Sequence, residues 1–180
     1  MRVRLTIALL LFGGALSVPV SAASAAEPAP AAVPKAFLDC SNAWRAAAKE
    51  VEEPESFRCT REHFESLPGS GGSTYDMSMA SARAAETADL YIDSVLLPEI
   101  NLGLSGGEEG ASKPQAITRD FLLRSYVRTA RAAGATLCEI QYDYHSEGSI
   151  RSVVGGSCAV ENRDRLIGDL MRLAFMVGTH

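Results

Sequence analysis

The 180-residue sequence is poor in the residues on which most enzyme sites depend. It contains three histidines and four cysteines, and no two cysteines have the Cys-x-x-Cys spacing of zinc sites and redox dithiols. It also lacks the His-Glu-x-x-His motif, a phosphate-binding loop and the dinucleotide-binding glycine pattern. We therefore expect no catalytic residues, no cofactor and no metal ion, and hence a protein that is not an enzyme.

Lysines and long apolar runs are also scarce. The only lysines are Lys35, Lys49 and Lys113, and the arginines are interleaved with acidic residues, which argues against nucleic acid as a partner. The longest run of apolar and small residues, Leu5 to Leu16, is shorter than the roughly 20 residues that span a bilayer. We expect a mature protein that is not embedded in a membrane.

That run instead belongs to a typical secretory signal peptide. Arg2 and Arg4 precede it, and small residues after it fit cleavage after Ala22 or, as we prefer, Ala25. The alternative interpretation is that the run is retained as a membrane anchor. Removal of residues 1–25 takes away two cations and no acid, so the formal net charge changes from −5 to −7. We expect an acidic protein of the bacterial periplasm or exterior, suited to a basic partner.

The remaining sequence predicts a tether and one helical domain. Residues 26–36 are rich in proline and alanine, and residues 37–180 carry apolar residues at helical spacing. We predict an all-α bundle of four to five helices and no strand. The predicted helices are one from Phe37 towards Pro54, one over 55–67, one from Met77 towards Pro98, a long one from Pro114 to Tyr144, and one from an N-cap at Ser157. Glycine-rich loops are predicted over 69–73 and 102–113, and Gly148, Gly155 and Gly156 are expected to interrupt the chain before the last helix.

The four cysteines, in a chain with an export signal, predict two disulfides. Of the three pairings, we favour Cys40 with Cys59 and Cys138 with Cys158, because each closes a short loop of about 20 residues. One geometric objection applies to the first pair. A helix running unbroken to Glu53 with a tight turn would leave the two cysteines about 10 Å apart along the axis. We therefore expect the first helix to start after Cys40 or to bend.

Several segments resemble the LprI-like family of lysozyme-inhibitor domains over residues 37–175. In the C-terminal half these are Cys138-Glu139-Ile140-Gln141-Tyr142, Glu147-Gly148-Ser149-Ile150, Cys158 and Asn162-x-x-Arg165. In the N-terminal half they are Asp39-Cys40-x-x-Ala43, Cys59 and Ala88-Asp89-Leu90-Tyr91. The sequence departs from the family where Ala130 and Gly134-Ala135 replace a Trp and an Arg-Asp pair, and where Asn162 replaces a Thr.

This resemblance implies a non-catalytic envelope protein whose partner is lysozyme or another basic envelope protein. An acidic inhibitor would associate quickly with a basic lysozyme and block its cleft with a loop. We predict the contact at Glu108 and Glu109, or at Glu147, Gly148 and Ser149. Solvated loops are the plainer interpretation of both segments.

A structural or ligand-binding envelope module is the alternative function. Its candidate sugar-stacking or peptide-contacting residues are Trp44, Tyr75, Tyr91, Tyr126, Tyr142 and Tyr144. Aromatic residues at helical spacing more often belong to a core, and we assign Trp44 to packing.

Overall fold

The computed structural model describes residues 32–50, 54–106, 113–144, 148 and 150–178. These residues form helices joined by turns and extended connections, and none of them lies in a strand. The helices are α1 (Lys35–Ala48), α2 (Cys59–Ser66), α3 (Thr74–Tyr91), a π-helical turn (Ile92–Leu96), α4 (Leu97–Gly106), α5 (Lys113–Tyr144) and α6 (Ile150–Met176). Because α3, the π turn and α4 are continuous, the described chain has five helical runs, which confirms the all-α prediction.

The three longest runs form an up-down-up bundle. Helices α3 and α6 are parallel, since Ser81 lies beside Gly156 and Asp89 binds Arg163 further along both helices. Helix α5 is antiparallel to α6 and lies at the edge of the bundle. Helices α1 and α2 pack against the α3–α4 run and α6, so α5 contacts neighbours on one side only.

The core lies where α1 and α2 meet α3 and α6. Phe37 and Tyr91 are almost fully buried, with ring centroids 5.3 Å apart. Trp44 is half-buried against Phe57 and Phe175, and its indole N–H donates to the Glu55 carbonyl. The assignment of Trp44 to packing is therefore confirmed.

Both favoured disulfides are present, with Cα–Cα distances of 5.8 Å for Cys40–Cys59 and 5.5 Å for Cys138–Cys158. The expectation that the first helix starts after Cys40 or bends is wrong. Helix α1 starts at Lys35 and ends at Ala48, and α2 starts only at Cys59. The connection between the two helices is therefore long enough to bring Cys59 back beside Cys40.

The predicted start of the last helix at Ser157 is also wrong. Helix α6 starts at Ile150 and passes through Gly155 and Gly156 without interruption. A Cβ atom on Gly156 would lie 2.7 Å from the Cβ and Oγ atoms of Ser81. Gly156 therefore allows α3 and α6 to pack closely, and it does not form part of a loop.

The predicted loop over 102–113 begins too early, because α4 continues to Gly106. Pro98 does not end the helix. It follows the π turn, in which the Leu97 N–H donates to the Ile92 carbonyl five residues back. The wider turn accommodates the proline ring, which would clash with the Ser94 carbonyl in a regular α-helix. No helix among the described residues is both long enough and apolar enough to cross a membrane.

Candidate functional site

The predicted partner-binding segments adjoin α5 in the sequence, one before its start and one after its end. Glu108, Glu109, Glu147 and Ser149 lie outside the described residues. Gly148 is described, and it is exposed with a φ of 95° and open space where a side chain would be. Glycine adopts this left-handed conformation at little steric cost, which explains the residue type at this position.

A groove runs between α5 and α6. Near the end of α4 it widens into a cavity of about 380 Å³, whose apolar walls include Leu104, Leu122 and Leu173. A second cavity of about 210 Å³ continues between Ala130 and Leu137 of α5 and Leu166 of α6.

The two cavities share Tyr126 and Asp169, so they form one continuous groove. From Leu122 to Leu137 the α5 wall is about 22 Å long at 1.5 Å per residue. This length matches about four turns of a bound helix, or a shorter extended segment.

A few polar groups interrupt the apolar walls of the groove. The Arg119 guanidinium donates to the Leu104 carbonyl, and Asp169 accepts from Arg172. Arg165 is exposed on the wall and forms no ion pair with any residue that the structure describes. Burial, together with the nearby charge of Asp169, raises the pKa of Tyr126, so its hydroxyl stays a neutral donor. Apolar walls with a few fixed polar groups are typical of binding sites.

The exposed surface of α5 is unusually apolar. Thirteen large hydrophobic residues of the described chain are exposed, and eight of them belong to α5. These eight are Ile117, Phe121, Leu122, Tyr126, Leu137, Ile140, Tyr142 and Tyr144. The spacing of apolar residues in the sequence predicts an inward stripe for this helix, and that prediction is only partly correct. The stripe is Leu123, Val127, Ala130, Gly134, Leu137, Gln141 and Tyr144. Leu123 and Val127 are buried, but Leu137, Gln141 and Tyr144 are exposed.

The residues that carry the family resemblance have structural roles here. Asp89 of α3 binds Arg131 of α5 at 2.8 Å and Arg163 of α6 at 3.0 Å, which joins the three long helices. The Asn162 side-chain amide donates to the Gly134 carbonyl and to the Cys138 sulfur. These contacts fix the α5–α6 pair, and Asn162 and Arg165 of the motif both line the groove.

Asp164 is a buried carboxylate that the sequence did not single out. It accepts the backbone N–H groups of Thr60 and Arg61, and so caps α2 from a position 104 residues away. Burial raises the pKa of Asp164 to about 6 in spite of these hydrogen bonds. Its contacts are those of a helix cap, which assigns it to the scaffold.

Histidine chemistry has little support in the described residues. Burial lowers the pKa of His63, and its Nε2 atom lies 3.2 Å from the Thr87 hydroxyl. The neighbouring Ser66 hydroxyl donates to the His63 backbone carbonyl and not to the imidazole. No group of three or more potential metal ligands occurs in the part of the chain that the structure describes.

One sequence pattern has the spacing of a serine-hydrolase elbow. Gly103-Leu104-Ser105-Gly106-Gly107 reads Gly-x-Ser-x-Gly. That motif needs a sharp turn between a strand and a helix. Residues 103–106 of the pattern lie instead at the end of α4, Gly107 lies outside the described residues, and the described residues contain no strand.

The tyrosines named as ligand-contacting candidates separate into two groups. Tyr91 is buried in the core beside Phe37, whereas Tyr75, Tyr126, Tyr142 and Tyr144 are exposed. The guanidinium carbon of Arg151 lies over the Tyr142 ring, 3.8 Å from the ring centroid. Tyr126 lines both cavities of the α5–α6 groove.

Comparison with family models, curated proteins and solved structures finds no match to this chain.

Proposed function

We propose that this chain is a non-catalytic, exported binding protein that recognises a protein partner through the α5–α6 groove. The observation that carries this proposal is the concentration of exposed apolar side chains on α5 beside a continuous groove. Exposed apolar surface of this kind is a hallmark of binding sites. The two disulfides suit an oxidising compartment such as the bacterial periplasm.

Lysozyme is the partner that the family resemblance nominates. The acidic charge of the processed chain favours fast association with a basic protein. In this proposal the loops with Glu108, Glu109 and Glu147 steer a basic partner, and the groove supplies the apolar contact. Both segments adjoin α5 in the sequence, one before its start and one after its end.

A cell-wall lysis assay tests this proposal. We expect the oxidised protein to inhibit lysozyme, and Leu122→Asp to weaken inhibition at least about tenfold because a charge enters the apolar groove. Leu102→Asp is the matched control, since Leu102 is 74% exposed on α4 and lines neither α5–α6 cavity. Replacing Glu108 and Glu109 by Gln should chiefly slow association.

The outcomes separate the partner from the surface. Full lysozyme activity at high micromolar concentrations of the protein would remove lysozyme as the partner. Equal effects of Leu122→Asp and Leu102→Asp on inhibition would show that the groove is not the contact surface.

A further inference from the structure

The α5–α6 groove carries a charge opposite to that of the whole chain. The charged residues among the described lining of its two cavities are Arg119, Arg165 and Asp169. Asp169 accepts from Arg172 at 2.9 Å, so its charge is already balanced within α6. The groove walls are therefore cationic, although the chain as a whole is acidic. This contrast favours a ligand that carries a negative charge.

The two arginines of the groove differ in their contacts. The Arg119 guanidinium donates to the Leu104 carbonyl, which holds it against the end of α4. Arg165 is exposed, lines the second cavity and forms no ion pair with any residue that the structure describes. A guanidinium can bind a carboxylate through two parallel hydrogen bonds. Arg165 is therefore the side chain that can receive an anionic headgroup.

The first cavity has the walls expected around a hydrocarbon chain. Leucines of three helices line it, and they are Leu104 of α4, Leu122 and Leu123 of α5, and Leu170 and Leu173 of α6. Its volume of about 380 Å³ lies within the range of small-molecule sites, about 300–1,000 Å³. Because the volume is at the lower end of that range, the cavity suits one alkyl chain and not the several chains of a membrane lipid.

The distance between the leucines and Arg165 sets the length of such a ligand. Leu173 follows Arg165 by eight residues on α6, which corresponds to about 12 Å along the helix. An extended alkyl chain advances about 1.3 Å per carbon–carbon bond, so a chain of roughly ten carbons covers this distance. Tyr126 lines both cavities, so its ring lies along the path between them.

We propose that the α5–α6 groove binds one fatty-acid anion of about ten carbons, with its chain among the leucines and its carboxylate at Arg165. The proposal combines an apolar cavity that fits a single chain with an arginine at the matching distance. It goes beyond the proposed recognition of a protein partner. Because both ligands use the same groove, a bound fatty acid should compete with the protein partner.

Isothermal titration of the oxidised protein with sodium decanoate tests the proposal. We expect one decanoate per chain, and Arg165→Gln should weaken its binding at least about tenfold because a charge-assisted pair of hydrogen bonds is lost. Decanol has the same chain without the charge, so it should bind the wild type and Arg165→Gln equally. Arg128→Gln is the matched control, since Arg128 is exposed on α5 and lines neither cavity of the groove.

Leu122→Asp tests the position of the alkyl chain. The substitution places a charge in the first cavity, so it should weaken the binding of decanoate and of decanol. The absence of saturable binding at millimolar decanoate would overturn the proposal. Equal decanoate affinities of the wild type and Arg165→Gln would also overturn it, because the carboxylate would then not lie at Arg165.

Lysozyme inhibition, measured without fatty acid, distinguishes this proposal from the proposed function. A protein that binds decanoate at Arg165 and does not inhibit lysozyme would support the fatty-acid site and remove only lysozyme as the partner. A protein that inhibits lysozyme and binds no decanoate would overturn only the fatty-acid site.

Discussion

Gly156→Val is expected to destabilise the protein by about 3 kcal/mol, the upper end of the usual cost of overpacking a closely packed site. A Cβ atom at this position would lie 2.7 Å from the Cβ and Oγ atoms of Ser81, so α3 and α6 must move apart to accept it. Urea unfolding followed by circular dichroism measures the loss.

The adjacent glycine supplies the control for this prediction. A Cβ atom on Gly155 would meet only the Tyr142 side chain, at 3.4 Å, which is an ordinary contact. Gly155→Ala should therefore gain up to about 1 kcal/mol of helix propensity. Ser81→Gly in the Gly156→Val background should recover part of the lost stability. Full stability of Gly156→Val alone would show that the two helices do not approach as described.

Removal of the disulfides should have a comparably large effect. The bonds join residues 19 and 20 positions apart, and loops of this length are each expected to contribute about 3 kcal/mol by restricting the unfolded chain. Cys→Ala at both positions of one pair should lower Tm by about 6–12 °C for a domain of this size. The loss of both pairs, about 6 kcal/mol together, would remove a large part of the typical stability of a folded domain, about 5–15 kcal/mol.

Reduction and peptide mapping provide the controls for the disulfide prediction. A reducing agent should lower the Tm of the wild type and leave the variant lacking all four cysteines unchanged. Free thiols in protein recovered from its native compartment would contradict the crosslinked scaffold. So would a Tm of the wild type that does not respond to reduction.

Local sequence signals predicted much of this fold. Apolar periodicity located α5, and Pro114 marked its first turn within one residue of the observed start at Lys113. The short loops closed by the cysteines indicated the correct pairing. These features depend on residues close together in the chain, which is why a single sequence reveals them.

Features that depend on distant residues could not be predicted in the same way. Gly156 resembles a loop glycine until Ser81, 75 positions earlier, is known to lie against it. Asp164 caps a helix 104 residues away, and no local pattern indicates that contact. The spacing of apolar residues also identified an apolar side of α5. It could not show that residues towards the C-terminal end of this side, such as Leu137 and Tyr144, are exposed in the bundle.

Site-specific photo-crosslinking in the native cell tests the central claim, recognition through α5, most directly. A photoreactive phenylalanine analogue at Tyr126 is compared with the same analogue at Tyr75, which is more exposed, at 72% against 47%, and lies on α3. Recognition through α5 predicts discrete protein adducts from position 126, far stronger than any from position 75. Equal capture at both positions, or none from position 126, would contradict it.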